Sequence, residues 1–185
     1  MCVSSKSHPQ ATLLTENAEA RNVSDMSKQS VLINTAMAII PVVMVSLLGQ
    51  LATYPNIAGW YSGLLKPAFN PPAWIFAPVW TALYILMAWA AWRVLTMPSD
   101  RLGRSTALVF FFTQLAMNAG WSWMFFGLRC PLAGLINIVP QLLVIVLTLT
   151  LFFRLDRVAG ICLVPLAAWV CFATLLNFEI WRLNG

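Results

Sequence analysis

The feature that most constrains this chain is a set of long stretches without a charged side chain. They lie between Lys28 and Lys66 and over 67–92, 105–128, 130–153 and 158–178. Each stretch reaches or exceeds the roughly 20 residues that an α-helix needs to cross about 30 Å of hydrocarbon at about 1.5 Å per residue. A soluble domain carries about 25% charged residues, whereas this chain carries 9%. The pattern predicts an integral membrane protein.

The fold class predicted from these stretches is an all-α membrane protein, a bundle of five transmembrane helices. The spans that we assign are 31–53, 73–97, 104–127, 131–153 and 157–181. Prolines fall within four of them, and membrane helices tolerate such prolines where neighbouring groups satisfy the freed carbonyls. Three connections are short, at 98–103, 128–130 and 154–156. Short connections force successive helices to run antiparallel, which favours a compact bundle.

Two segments differ from the spans in composition. Residues 1–29 are polar and carry charges of both signs, which predicts a disordered N-terminal tail preceding a membrane domain over 30–185. The connection over 54–72 is long, aromatic and rich in proline. A loop of this kind is more typical of a lid or a binding element than of a passive linker. An aromatic belt at the membrane interface is the alternative interpretation.

The distribution of basic residues predicts an orientation. Eight of the eleven Lys and Arg side chains fall on the side of the N-terminus. In a bacterial inner membrane this asymmetry places the N-terminus in the cytoplasm. An outer membrane, where insertion follows other routes, stays open as the location. The scattered basic residues at helix ends do not suggest a nucleic-acid partner.

Ionisable groups are scarce inside the predicted spans, where Glu179, near the end of the last one, is the sole acidic side chain. Ion-coupled transporters keep ionisable residues at membrane depth, so ion coupling is poorly supported. The sole histidine, His8, lies in the tail and offers no haem ligand inside the bundle. We find no metal-ligand spacing, no nucleophile–base set and no motif for a covalently bound cofactor. Conventional catalysis is therefore not predicted.

Tryptophan is abundant instead, with nine in 185 residues. Trp74, Trp92 and Trp181 lie near span ends, as in an interfacial belt. Four others fall inside spans: Trp80, Trp121, Trp123 and Trp169. Trp80 shares a helical face with Tyr84, Trp121 with Phe125, and Trp169 with Ala173. Such stripes arise from plain packing in many bundles. The functional interpretation is an apolar cavity walled by aromatic rings, with polar groups such as Asn118 and Ser122 to orient a flat ligand.

Several motifs resemble those of the TspO/MBR family, which comprises tryptophan-rich sensory proteins and the mitochondrial translocator protein. The segments are KPAFNPPAW over 66–74, APVWTALY over 77–84, NAGWSWMFFG over 118–127 and LNFEIWRLN over 176–184, with Trp60 and Tyr61 before them. The resemblance covers about 31–185 and keeps the motif order. It implies a five-helix bundle, often a homodimer, that binds porphyrins such as protoporphyrin IX.

The resemblance also implies a set of ligand-binding residues in the loop and in the second, third and fifth helices. They are Tyr61, Pro71, Trp74, Phe76, Trp80, Tyr84, Asn118, Trp121, Ser122, Phe125, Trp169, Ala173 and Leu176. Our leading hypothesis is therefore a membrane receptor, sensor or transporter for tetrapyrroles.

Two alternatives accompany this hypothesis. One is light-dependent degradation of porphyrin, an activity reported in the family, with Trp80 and Trp169 as candidate redox residues. The other is a carrier of sterol or lipid. Phe178 stands where the cholesterol pattern proposed for animal members has Tyr, and such patterns are weak even when intact. Ala116 and Gly120, four residues apart, form a candidate dimerisation patch on the third helix.

Overall fold

All of the regular structure in the described residues 9–185 is helical. The structure is a computed structural model that describes residues 28–185 in full and the helical backbone of 9–27. Its α-helices are α1 (Pro9–Ile57), α2 (Ala73–Leu95), α3 (Arg104–Ser122), α4 (Pro131–Leu155) and α5 (Arg157–Asn184). A 3₁₀ turn, Tyr61–Gly63, lies in the connection between α1 and α2, and a π-helical turn, Trp123–Gly127, continues α3.

Four of the helices are long and apolar enough to cross a membrane. These segments are Lys28–Ile57, Ala73–Leu95, Pro131–Leu155 and Arg157–Asn184. Helix α3 is shorter and carries polar residues, among them the buried Gln114 and Asn118. Helices therefore stand at all five predicted positions, and four of them have the length and apolar composition of membrane spans. The crossing by α3 stays a prediction.

The N-terminal region differs from the sequence expectation where it is described. The backbone of 9–27 is helical and continuous with the first span, whereas we expected disorder up to residue 29. Extending an existing helix adds one hydrogen bond per ordered residue and avoids the unfavourable nucleation step, which accounts for the difference. The part of the predicted tail before Pro9 lies outside the described residues.

The helices pack around a tightly closed apolar core. Helix α4 packs most extensively on α5 and α3, while α1 contacts α2 and α3. Met87, Phe111 and Phe152 are completely buried, and the rings of Phe111 and Phe152 stack with centroids 5.7 Å apart. In contrast, Leu51 and Leu143 are about two-thirds exposed on the outside. An apolar exterior is what a helix bundle presents to lipid.

Polar contacts fix the end of the bundle that lies away from the α1–α2 connection. Asp156 caps α5 by accepting a hydrogen bond from the Ala159 amide, and its other oxygen forms an ion pair with Arg93 at 2.6 Å. Arg104 donates to the carbonyl oxygens of Val94 and Leu95 at the end of α2. These contacts satisfy backbone groups that helix ends leave without partners.

The candidate dimerisation patch is partly used within the chain. A Cβ atom added at Gly120 would lie 3.2 Å from Nδ2 of Asn137, so this glycine allows α3 to approach α4 closely. Ala116 is exposed. The predicted homodimer stays a prediction.

Candidate functional site

A cavity of about 570 Å³ lies inside the bundle beneath the α1–α2 connection. Side chains from all five helices and from the residues 58–72 between α1 and α2 line it. Pockets for small molecules typically measure about 300–1,000 Å³ and are mostly apolar with a few polar groups. The cavity has the size and character of a ligand site.

Aromatic rings form much of the cavity wall. On α2, Trp80 and Tyr84 lie with ring centroids 5.5 Å apart, one helical turn from each other. At the end of α3, Trp121 and Phe125 stack at 5.1 Å with an interplanar angle of 21°. Trp169 of α5 contacts the ring of Phe76 on α2 edge-on. Rings held in this way offer flat apolar faces to a bound molecule.

The connection between α1 and α2 covers the cavity with another ring. Tyr61 packs against Phe125 and Phe126 with centroid distances of 6.2 and 5.5 Å, and its hydroxyl donates to Oδ1 of Asn70. Burial raises the pKa of the Tyr61 phenol, because the charged form is poorly solvated there. Tyr61 thus remains a neutral donor at physiological pH.

Lys66 is the charged side chain that lines the cavity within the described residues. Its Nζ donates to the carbonyl oxygens of Ser62 and Leu64 and lies 4.7 Å from the centroid of the Tyr61 ring. An ammonium group has three N–H donors. Two of them are directed at backbone oxygens, which leaves one for an anionic group at the cavity mouth.

Buried amides hold the walls in place. The Tyr84 hydroxyl donates to Oδ1 of Asn118 at 3.0 Å, which joins α2 to α3. The Trp121 indole donates to Oδ1 of Asn177 at 3.0 Å, and Nδ2 of Asn177 donates to the carbonyl of Pro131. Breaking one of these bonds would destabilise the fold, because a polar group that is shielded from water would be left without a partner. They preorganise the rings around the space.

The π-helical turn after α3 explains how two adjacent phenylalanines are both buried. The Leu128 amide donates to the Trp123 carbonyl at 2.8 Å, a bond across five residues. Phe125 and Phe126 are buried, whereas Trp123 is 48% exposed. We grouped Trp123 with the interior tryptophans, and this assignment is wrong. The extra residue of a π turn changes which side chains face inward, and such turns often occur at functional sites.

The cavity brings together all but one of the residues that the resemblance implied. Twelve line it: Tyr61, Pro71, Phe76, Trp80, Tyr84, Asn118, Trp121, Ser122, Phe125, Trp169, Ala173 and Leu176. Trp74 does not line it, and this residue is 72% exposed in the first turn of α2. Its place at a span end favours the interfacial role that the sequence also suggested. Ligand binding by the twelve stays a prediction.

Sequence reasoning missed the contribution of α1 and α4. Helix α4 supplies Ile138 and Gln141, and α1 supplies Ser46, Gly49, Gln50, Thr53, Tyr54 and Ile57. A usable signal was present, because small and polar residues recur three to four positions apart along an otherwise apolar helix. Gly49 allows close approach of α1 to α3: a Cβ there would lie 3.2 Å from Oγ of Ser122.

A second, shallower space lies on the outer face between α2 and α5. It measures about 460 Å³ and is lined almost entirely by apolar side chains, among them Val79, Leu86 and Phe172. Trp169 lines both this groove and the interior cavity. One indole therefore forms part of the partition between the cavity and the exterior face of the bundle.

Comparison with known proteins identifies the family. The model of the TspO/MBR family matches residues 37–182. The chain belongs to the TspO/MBR family. The match includes the C-terminal part of α1 from residue 37, the whole cavity and nearly all of α5, so the resemblance in the sequence motifs is confirmed. With four helices long and apolar enough to cross a membrane, this member of the family is a multi-pass integral membrane protein.

Relatives from bacteria and animals cover most of the membrane region. Tryptophan-rich protein TspO of Chlorobaculum tepidum is 46% identical over 131 residues, which cover 70% of this chain and 83% of the relative. The tryptophan-rich sensory protein of Cereibacter sphaeroides is 42% identical, with 68% and 77% covered. Translocator protein of Homo sapiens is 32% identical, with 68% and 75% covered. Membership of this family supports a role as a membrane receptor or sensor.

Proposed function

We propose that this TspO/MBR protein is a receptor or sensor that binds tetrapyrroles, represented by protoporphyrin IX, in the aromatic cavity. The observation that carries the proposal is the arrangement of rings from three helices around one space. Trp80, Trp121 and Trp169 come from α2, α3 and α5 and all line it. Aromatic rings interact best with flat partners through offset or edge contacts. A planar macrocycle presents such faces on both sides.

The polar groups suit the acidic edge of a porphyrin. Protoporphyrin IX carries two propionates on one edge of an otherwise apolar ring. Lys66, at the mouth, has an ammonium donor that is not directed at a backbone carbonyl. Charge-assisted bonds to a carboxylate are stronger than neutral ones. We place the propionates beneath the loop and the ring between the tryptophans.

Titration with protoporphyrin IX tests this proposal through its absorbance and the quenching of tryptophan fluorescence. Trp80→Leu and Trp169→Leu each remove one ring from the wall, and we expect about a 2- to 13-fold loss of affinity, since ring contacts contribute about 0.5–1.5 kcal/mol. Trp74→Leu is the matched control, because that indole is exposed outside the cavity. Its affinity should stay within about 2-fold of wild type.

Equal affinity in all three variants would overturn the site, and no binding by the wild-type protein would overturn the proposed ligand class. Cholesterol is included as a competitor. Displacement of porphyrin by cholesterol at comparable concentration would favour the sterol carrier instead. Unliganded thermal unfolding of each variant separates loss of binding from loss of folding.

Light-dependent degradation is a second candidate, favoured by the contact between Trp80 and Tyr84. In this reaction an indole would give one electron to the photoexcited porphyrin, which is reduced while the indole is oxidised to a radical cation. The adjacent Tyr84 would then return one electron to the indole, and its hydroxyl proton would pass to the porphyrin radical anion. Dioxygen would serve as the oxidant that consumes the reduced porphyrin. Trp80 and Trp169 are the candidate redox residues.

Loss of the Soret band under illumination tests the second candidate, with a dark sample and an oxygen-free sample as controls. Trp80→Phe keeps a ring in the wall but is harder to oxidise. Degradation that stops in this variant while binding persists would support the reaction. Degradation at the rate of free porphyrin in detergent would exclude a role for the protein.

A further inference from the structure

Gln141 of α4 is a buried amide that faces the cavity and has no protein partner. Gln141 is 1% exposed and lines the cavity. Within residues 28–185 no hydrogen bond joins its side chain to another group. Gln50, the other cavity-lining glutamine, donates through Nε2 to Oγ of Ser46 at 3.0 Å. Gln141 therefore differs from Gln50 in having its hydrogen-bonding capacity unused.

An unused amide at this depth calls for a partner. Buried side-chain polar groups are almost always hydrogen-bonded, and exceptions need an explanation such as a ligand or a water molecule. The residue lies about 15 Å along the helix axis from Pro131, at about 1.5 Å per residue. This position is far from Lys66 and the loop, so the partner belongs to the deep end of whatever fills the cavity.

The surroundings select a neutral partner. Gln141 shares the deep end with Asn118, Ile138 and Val170, which also line the cavity. Asn118 already accepts the Tyr84 hydroxyl through Oδ1. None of the described lining residues at this end is charged, so a carboxylate there would be desolvated without a counter-ion. A hydroxyl or carbonyl group can exchange hydrogen bonds with an amide without that cost.

We propose that Gln141 determines specificity by binding a neutral hydroxyl or carbonyl substituent on the buried edge of the ligand. This inference rests on the proposed function and narrows its ligand class. The preferred tetrapyrrole carries acidic groups on the edge at the mouth and a neutral hydrogen-bonding group on the opposite edge. A ring with purely apolar substituents on that edge leaves the Gln141 amide unpaired.

Two commercial porphyrins isolate this effect. Haematoporphyrin IX and mesoporphyrin IX share both propionates, and haematoporphyrin carries 1-hydroxyethyl groups where mesoporphyrin carries ethyl groups. The measurement is the ratio of their dissociation constants in wild type and in Gln141→Met, which keeps the side-chain length but lacks the amide. We expect haematoporphyrin to lose about 3- to 10-fold in affinity, the usual effect of one hydrogen bond. Mesoporphyrin should change by less than about 2-fold.

Gln114→Met is the matched control, since its amide on α3 is equally buried, donates to Sδ of Met87 and does not line the cavity. The ratio of the two constants should be unchanged in this variant. An unchanged ratio in Gln141→Met, or an equal loss for both porphyrins, would overturn the role of Gln141 and leave porphyrin binding intact. Failure of wild type to bind either porphyrin would overturn the proposed function and this inference with it.

A measurement on wild type covers the case in which Gln141→Met does not fold. The side-chain amide resonances of Gln141, in protein labelled with ¹⁵N-glutamine, should shift on addition of haematoporphyrin more than on addition of mesoporphyrin. Equal shifts with the two porphyrins would contradict the proposed bond. A shift of Gln50 in place of Gln141 would contradict it as well.

Discussion

Asn184 holds the backbone of Leu65 by two hydrogen bonds, although the residues are 119 positions apart. Its Oδ1 accepts from the Leu65 amide and its Nδ2 donates to the Leu65 carbonyl, both at 2.9 Å. The same Nδ2 also donates to the Ile180 carbonyl within α5. The last turn of α5 therefore fixes the segment that covers the cavity.

Removal of the contact between Asn184 and Leu65 should increase the mobility of the segment 58–72 that covers the cavity. In Asn184→Ala we expect faster hydrogen exchange at the Leu65 amide and about 1 kcal/mol less stability, since each exposed bond contributes about 0.5–1.5 kcal/mol. Exchange measured by mass spectrometry over 58–72 is the readout. Asn184→Asp keeps the acceptor for the Leu65 amide and should fall between Ala and wild type. Unchanged exchange in Asn184→Ala would show that the loop is held by its ring contacts alone.

The Lys66 ammonium should discriminate acidic from esterified ligands. Lys66→Gln should weaken protoporphyrin IX by about 2- to 5-fold, the usual effect of one partly exposed ion pair. The dimethyl ester should be unaffected because it offers no carboxylate. Arg129→Gln is a control at the same end of the bundle, where the guanidinium bonds Asn56 outside the cavity. Equal losses for acid and ester would assign Lys66 a role in loop structure rather than in charge recognition.

The ion pair between Arg93 and Asp156 at the start of α5 should make the stability of the bundle depend on pH in the acid range. A hydrogen bond from Arg93 holds the pKa of Asp156 below its ordinary value, with help from the Ala159 amide. A lowered folded-state pKa stabilises the protein above the unfolded-state value of about 3.9, and this stabilisation is lost as pH falls through the folded-state value. We therefore expect the stability of the wild-type protein to fall as the pH is lowered from about 3.9 through the folded-state pKa of Asp156.

Two variants separate charge from capping at this position. Asp156→Asn keeps a capping oxygen and should remove the part of the acid dependence that comes from this residue. Asp156→Ala should lose about 1 kcal/mol more at neutral pH because the cap is also gone. Thermal unfolding between pH 3 and 7 checks both, with Glu179→Gln at the exposed pair on α5 as the comparison. An acid dependence that survives in Asp156→Asn would point to other carboxylates.

Gly134 marks the tightest approach beside the cavity wall. A Cβ atom there would lie 2.8 Å from Oδ1 of Asn177 and 2.9 Å from the Phe125 ring. We expect Gly134→Ala to destabilise the protein by about 1–3 kcal/mol, as overpacking does in closed cores. Gly59→Ala, with nothing within 4 Å of the new atom, is the control. Chemical denaturation measures both, and equal stability would mean that the Phe125 ring relaxes freely.

Much of the site could be predicted from spacing and motifs, because aromatic residues one turn apart on a helix must share a face. Trp80 with Tyr84 and Trp121 with Phe125 followed this rule. Trp74 did not follow the motif-based expectation, since motif membership does not tell which way a residue in a first helical turn points. Trp123 failed because spacing assumes about 3.6 residues per turn and the π turn departs from it.

The contribution of α1 and α4 was harder to predict for a different reason. On α1 the recurring small and polar residues mark a face but do not tell which helix packs against it. An isolated amide such as Gln141 on α4 carries no periodic signal of its own, and its importance comes from what the neighbouring helix brings near. The span boundaries were close, although α1 continues through Pro55 to Ile57. A proline near a helix end removes only one backbone bond, so it did not end the helix.

The stacked rings of Phe111 and Phe152 have a consequence for ligand traffic. They lie fully buried in the half of the bundle away from the loop, and neither lines the cavity. Passage straight through the protein would require these fully buried, stacked rings to part. A ligand that enters at the mouth therefore does not leave through the opposite end of the bundle in this conformation. The cavity would then sample the ligand concentration of one compartment, as a reservoir that opens to a single side.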